Sequence, residues 1–307
     1  MFGDVFYWLF SMSIVASVAG AVILLLRQFG RIPRRVICLL WVIPCVRMWL
    51  PFGINSRFGL MTLLNEVRFK KIRVIRIGRI GAGTDITWTN MMGSTEGSFP
   101  LEYKQDLMKD LFGIAGIVWA SVAAVLLILL AVLYLSTLRG VRGATHLRDD
   151  LYLSDRVSTP AVYGFFRPKI VLPTSTAEED YPMILLHERA HIRRGDNLWR
   201  LLGFVTVALH WFNPLAWIFL RCFLSDTEQA CDETALSSLD ETGRKEYALA
   251  LLRQAEARDP FPAAFGGAKL KTRIKRIVSF KKMTVFSAVG FGALVLAIAW
   301  ILLTNAA

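Results

Sequence analysis

Apolar positions in this 307-residue chain gather into long runs that are almost free of charge, where a soluble fold would interleave them with polar residues. A helix needs about 20 mostly apolar residues to cross the hydrocarbon core of a bilayer. Residues 5–26, 111–135 and Val285–Leu303 meet that length. A fourth run, 36–52, is shorter and contains Pro44 and Arg47, with Arg47 near enough to one end to snorkel to the interface. The pattern predicts a mainly α membrane protein with four transmembrane helices. Asp4 stands where a signal peptide would carry basic residues, and no small-residue cleavage motif follows, so the first run is read as a retained span.

The stretch between the third and fourth runs, 138–283, changes character, with 22 basic and 17 acidic residues, and predicts a compact α+β domain. Residues 160–172 (PAVYGFFRPKIVL) are β-rich with a Gly and a Pro at the turn, so a short hairpin is expected. Glu178, Glu179 and Asp180 then suit the first turn of a helix running to about Arg193, because negative charge favours the N-terminal end of the helix dipole. The expected organisation is 1–52 for helices one and two with a short turn, 53–110 for a loop, 111–137 for helix three, 138–283 for the inserted domain and 284–307 for helix four with its tail.

Charge orients these elements. The turn 27–35 and the flanks 138–157 and 264–283 hold fifteen basic residues, against six in the flanks 53–72 and 91–110. Basic residues are retained in the cytoplasm during insertion, so both termini are expected outside and the 138–283 domain inside. Residues 67–80 (VRFKKIRVIRIGRI) run against this count and are read as a ribbon on the outer membrane surface. A net charge of +12, 54% hydrophobic residues and a mean hydropathy of +0.46 exclude a water-soluble globule and intrinsic disorder. The charge is expected to hold the chain on anionic lipid, and no direct nucleic-acid contact is expected. Cys38, Cys45, Cys222 and Cys231 have neither disulfide-framework nor CxxC spacing and are read as buried thiols. A transporter or channel would place ionisable residues inside the spans, where Arg47 stands alone.

The chemistry lies at His187-Glu188-Arg189-Ala190-His191, the HExxH pattern. Two histidines four apart project from one helical face and can share a zinc ion, while Glu188 is placed to take a proton from water and pass it to a leaving amine. A catalytic zinc takes three protein ligands. The metzincin continuation is absent, since Arg194 and Asn197 stand where Gly and His would be required. The third ligand is sought in 226–233 (DTEQACDE), where Glu228 would bind the metal and Asp232 would hydrogen-bond a histidine ring, with Glu233 and Asp226 as substitutes. Intact Glu188 argues against a non-catalytic receptor that keeps zinc as a clamp, the rival class. The apolar run 201–220 is rejected as a span, because a crossing there would put HExxH and Glu228 on opposite sides and Asn213-Pro214 interrupts the helix. It is expected to pack on the membrane-facing side of the domain or dip into the bilayer, with His210 as a structural hydrogen-bonding residue. His146 is read as surface.

The motifs at 158–173 (STPAVYGFFRPKIVLP), 185–200 (LLHERAHIRRGDNLWR), 210–217 (HWFNPLAW) and 228–233 (EQACDE), with the spans in matching order, resemble the beta-lactam-responsive sensor-transducer metallopeptidases that govern penicillinase and methicillin resistance in Gram-positive bacteria. The resemblance implies a gluzincin-type zinc peptidase facing the cytoplasm, with His187, His191 and Glu228 as ligands, Glu188 as general base, and Asp196 and Asp232 in support. It implies signal transduction by self-cleavage and removal of a DNA-bound repressor, which would be the cytoplasmic protein substrate; a second copy of the chain is a candidate partner in a homodimer. In such receptors a drug-binding domain follows the last span. Here four residues follow Leu303 and the 53–110 loop has no SxxK pair, so the resemblance does not carry beta-lactam recognition. The chain is expected to be a short relative stimulated through that loop or a partner, or a piece of a longer protein. The basic stretch 269–282 (KLKTRIKRIVSFKK) is read as an anchor on inner-leaflet lipid, and it or the 253–268 linker is a candidate self-processing region.

Overall fold

The computed structural model describes residues 2–30, 32–50, 72–73, 87–88, 106–164, 167–256 and 270–304. Helix α1 (Phe2–Gln28) is followed by the short helices α2 (Arg34–Leu40) and α3 (Val42–Trp49). Two-residue strands β1 (Ile72–Arg73) and β2 (Thr87–Trp88) pair antiparallel, and the rest of the 67–80 ribbon lies outside the described residues. The long helix α4 (Asp106–Val141) leads to a four-stranded sheet of β3 (Thr145–Arg148), β4 (Leu151–Ser154), β5 (Ala161–Tyr163) and β6 (Lys169–Pro173), in the order β3-β4-β6-β5. Next come α5 (Tyr181–Arg194), α6 (Asp196–Leu209), α7 (Pro214–Leu236), α8 (Glu241–Glu256), α9 (Leu270–Val278) and α10 (Val285–Leu303).

Among the described residues three helices are long and apolar enough to cross a membrane: Phe2–Gln28, Leu111–Arg139 and Val285–Leu303. Over its described part, residues 36–50, the fourth run does not form one helix. Pro44 has no N–H to offer the Leu40 carbonyl and its ring crowds that group, so the helix breaks at Trp41 between α2 and α3. Nor does Arg47 snorkel. It is 2% exposed, and its Nη2 donates to the carbonyl of Thr304 at the end of α10, 3.2 Å away.

The expected hairpin at 160–172 is present as β5 and β6, paired antiparallel with Val162 opposite Ile170. β5 is an edge strand. Ile170 and Leu172 of β6 pack with Leu151 and with Ile184 of α5, which seats the HExxH helix on the sheet. Glu178–Asp180 form a 3-10 turn just ahead of α5, and the side chain of buried Asp180 pairs with Arg253 of α8.

The apolar run 201–220 folds as a helical hairpin, α6 and α7, rather than one helix. Pro214 starts α7, and the Asn213 side chain accepts from the Leu215 N–H as its cap. Its tip lies against α1, where Asn213 Nδ2 donates to Ser13 Oγ at 2.7 Å and Ser17 Oγ at 2.8 Å, and Trp119 Nε1 of α4 donates to the Leu209 carbonyl at 2.7 Å. Phe219 and Leu220 share a core with Ala16, Ala19 and Ile23 of α1, Ile37 and Leu40 of α2, and Leu302 of α10. Between apolar helices close approach of small residues supplies the packing. Gly20 shows how close: a Cβ there would lie 2.2 Å from the Phe219 ring.

Candidate metal centre

Helix α5 ends at Gly195, whose φ of 65° is a left-handed conformation open to glycine at little cost. The turn sends the chain straight into α6 and folds Asp196 back against the helix it has just left. The Asp196 carboxylate lies 2.8 Å from Nδ1 of His191. His187 and His191, one turn apart on α5, bring their Nε2 atoms to 3.2 Å. Glu228, on α7, completes the group: Oε2 is 3.6 Å from His187 Nε2 and Oε1 is 3.7 Å from His191 Nε2. These three side chains each offer a donor atom within 4.8 Å of the others.

Both imidazoles are committed on their far side. Nδ1 of His187 lies 2.8 Å from the Tyr247 hydroxyl, which in turn donates to Asp232 Oδ1 at 2.7 Å, and Asp232 itself lies 3.3 Å from that nitrogen. With both rings in the neutral state that a metal requires, a proton on each Nδ1 satisfies these acceptors and leaves each Nε2 lone pair facing the shared point. Two imidazole nitrogens and a carboxylate so arranged fit a zinc ion. Glu188 is buried, and its charge acts on the phenol of Tyr163 on edge strand β5, which burial and that charge push up.

The carboxylates hold the charge here. Burial opposes a proton on His187, but Asp232 and Glu228 outweigh it and raise its pKa to about 9. Burial would raise Asp232, yet Arg273 and then His187 bring it down to about 2. Glu228 is likewise held well below its ordinary range against its burial by His187, His191, Arg200 and Arg273. Asp196 is lowered against burial by His191 and Arg194.

The predicted residues His187, His191, Asp196, Glu228 and Asp232 thus come together, with Glu188 buried next to His187 in the chain, and the two substitutes do not. Asp226 faces away to Arg27, Arg34 and Trp41, and Glu233 accepts from the backbone N–H groups of Arg34 and Arg35. His210 is buried in the hairpin with Nδ1 3.0 Å from the Thr206 carbonyl, and exposed His146 bonds the Asp149 carbonyl. Four contributors escaped sequence reasoning. Tyr247 carried no signal. Arg200 Nη2 donates to Glu228 Oε1 at 2.6 Å, and Cys231 Sγ donates to Asp196 at 2.9 Å. Arg273, read with its neighbours as a lipid anchor, is 6% exposed and clasps both Asp232 oxygens at 2.7 Å. Its helical spacing with Ile277, also buried, was the available sign that one face of α9 turns inward.

An HExxH helix facing a glutamate of a later helix, in a chain with three membrane-length apolar helices among its described residues, has the donor set of a metallopeptidase-type centre. The chain belongs to the BlaR1 peptidase M56 family, a metallopeptidase family, whose profile matches residues 7–279. It is 25% identical over 146 residues to the regulatory protein BlaR1 of Bacillus licheniformis, covering 44% of this chain and 24% of that protein. It is 30% identical over 104 residues to the methicillin resistance mecR1 protein of Staphylococcus aureus, covering 33% of this chain and 18% of the relative, with the same figures for Staphylococcus epidermidis. The chain spans about a quarter or less of the length of these relatives.

Proposed function

We propose that the protein is a membrane-embedded zinc endopeptidase of a signal-transduction pathway, acting at the cytoplasmic face on itself and on a DNA-binding repressor. The observation that carries the reading is the convergence of His187, His191 and Glu228 with both outer imidazole nitrogens already bonded. Zinc bound there would supply Lewis-acid polarisation of the scissile carbonyl. Asp196 and the Tyr247–Asp232 pair fix the tautomer and orientation of the two rings. Glu188, adjacent to the first ligand, takes the proton from the attacking water and returns it to the departing amine. Arg200 and Arg273 keep Glu228 ionised, the state a ligand requires. The relatives' names support the regulatory reading.

The domain limits, four crossings and external termini follow the charge count, with the second crossing made by the broken α2–α3 pair. Support comes from both ends of that pair: Arg34 meets Arg27 of α1 at Asp226, and Arg47 meets the end of α10. The deciding experiment is Glu188→Gln. Purified protein should hold about one zinc per chain, and the variant should keep it while losing cleavage of a co-expressed repressor and of itself. Equal cleavage by the variant would refute the catalytic role; zinc without any cleavage in wild type would favour a non-catalytic receptor.

A further inference from the structure

Apart from the metal cluster, α2–α3, the end of α5, α6 and α7 line an open-sided cavity of about 340 Å³, within the roughly 300–1,000 Å³ typical of small-molecule sites. Its polarity is graded. Arg35 opens one wall on α2, and Arg194 and Asp196 stand at the corresponding end of the opposite wall. Farther along, the lining turns to Leu39, Val42, Phe219 and Phe223, then to Cys45 and Thr206. Asp196 is already paired with Arg194 at 3.2 Å, and Glu233, whose charge bears on Arg35 and whose carbonyl accepts from Arg35 Nη2, is paired in turn with Arg276 at 3.6 Å, so the polar end keeps a net positive charge; the like charge of Arg194 also bears on Arg35. Leu39 and Trp199, lining residues exposed by 59% and 38%, flank this end with apolar surface.

A cationic end on an apolar shaft, walled by helices that share a core with the membrane-length α1 and α10, is complementary to one class of molecule. We propose that the cavity binds an anionic phospholipid of the bilayer, with its phosphate between the Arg35 and Arg194 guanidiniums and one acyl chain against Val42 and Phe219. Guanidinium groups pair with phosphate by parallel N–H donors, and the apolar walls beyond them match an acyl chain, which a free anion lacks. Asp196 belongs to this wall and also to His191, so the lipid site and the metal cluster share a residue. Lipid binding is read without proteolysis and therefore stands or falls apart from the peptidase reading.

The test uses the full chain in phosphatidylcholine nanodiscs with and without phosphatidylglycerol. Native mass spectrometry after release should find one phosphatidylglycerol retained, and a phosphatidylglycerol bearing a photoreactive acyl chain should label 38–48 and 219–223. Arg35→Gln should lower retention about tenfold, the size of one lost charge-assisted contact. Val42→Trp should exclude the chain and abolish labelling, while the surface control Lys245→Gln, outside both the cavity and the 269–282 stretch, should leave retention unchanged. Equal retention of phosphatidylcholine, an equal loss in the lysine control, displacement by inorganic phosphate, or labelling confined to α4 and α10 would each overturn the proposal. Should Arg35→Gln fail to fold, the labelling map of wild type against Val42→Trp decides the matter.

Discussion

Arg273→Met tests how the second helical layer supports the metal cluster. The substitution keeps a long apolar side chain and deletes the guanidinium that meets Asp232 through Nε and Nη2, both at 2.7 Å. Asp232 is 3% exposed, so the carboxylate left behind cannot turn to water. Arg273 is the main influence holding Asp232 at about 2 against an ordinary 3.8. That difference corresponds to about 2 kcal/mol, because each pKa unit is about 1.4 kcal/mol of linkage. A depressed carboxylate contributes stability fully above pH 3.8 and loses it as pH falls through about 2, so the deletion is felt in full at neutral pH. Severing a buried pair costs about 3–5 kcal/mol, and taking the two estimates together gives about 3. For a chain of this size that lowers Tm by about 6–12 °C, measured by tryptophan fluorescence in detergent at pH 7. Arg273→Met/Asp232→Asn removes the stranded charge and should recover about 2 kcal/mol relative to the sum of the single variants. Strict additivity, or a wild-type Tm for Arg273→Met, would refute the assignment of α9 to the cluster.

Two further outcomes follow from the same structure. In metal-free protein the raised His187 pKa means that the folded state holds its proton more tightly; the gain is complete below pH 6.5 and is lost as pH rises through about 9, so Tm of the chelator-treated chain should fall over that window. Saturating zinc, which requires the neutral ring, should remove the decline. Gly20→Ala places a methyl group where the Phe219 ring already lies and should cost about 1–3 kcal/mol by thermal unfolding. Pairing it with Phe219→Leu should restore part of the loss, and a neutral Gly20→Ala would refute the close α1–α7 contact.

What could be read from residues alone divides along a physical line. Spans of uniform polarity announce themselves by length, so the helices around residues 2–28, 111–139 and 285–303 were legible. HExxH was legible because four-residue spacing fixes a common face before any tertiary contact exists. The hairpin within 160–172 was legible from a β-rich stretch around a Gly and a Pro. Long-range ion pairs were not. Arg273 and Asp232 are 41 positions apart, and nothing local distinguishes an arginine aimed at a carboxylate from one aimed at lipid. Arg47 failed for the same reason: its partner is the Thr304 carbonyl, 257 positions away. In both cases the sequence pattern located the charge and the tertiary fold decided what it touched.

Helix α7 shows how these two kinds of contact combine. Successive helical residues turn by about 100°, so positions two apart face nearly opposite ways. Asp226 and Glu228 are such a pair. Asp226 is fully buried and takes Arg27 Nε at 2.8 Å, Arg34 Nη1 at 3.1 Å and Trp41 Nε1 at 3.0 Å, which ties α7 to the end of α1 and to α2. Glu228, on the other side, faces the two histidines of α5. Four residues beyond Glu228, and so on its face, Asp232 supports His187. A rotation or slide of α7 that broke the Asp226 contacts would leave a buried, unpaired carboxylate at a cost of several kcal/mol, and would displace Glu228 by the same motion. The contacts to α1 and α2 and the carboxylate that meets the two histidines are therefore carried on two faces of one helix, and the position of Glu228 is set by the ion pairs that hold that helix to α1 and α2.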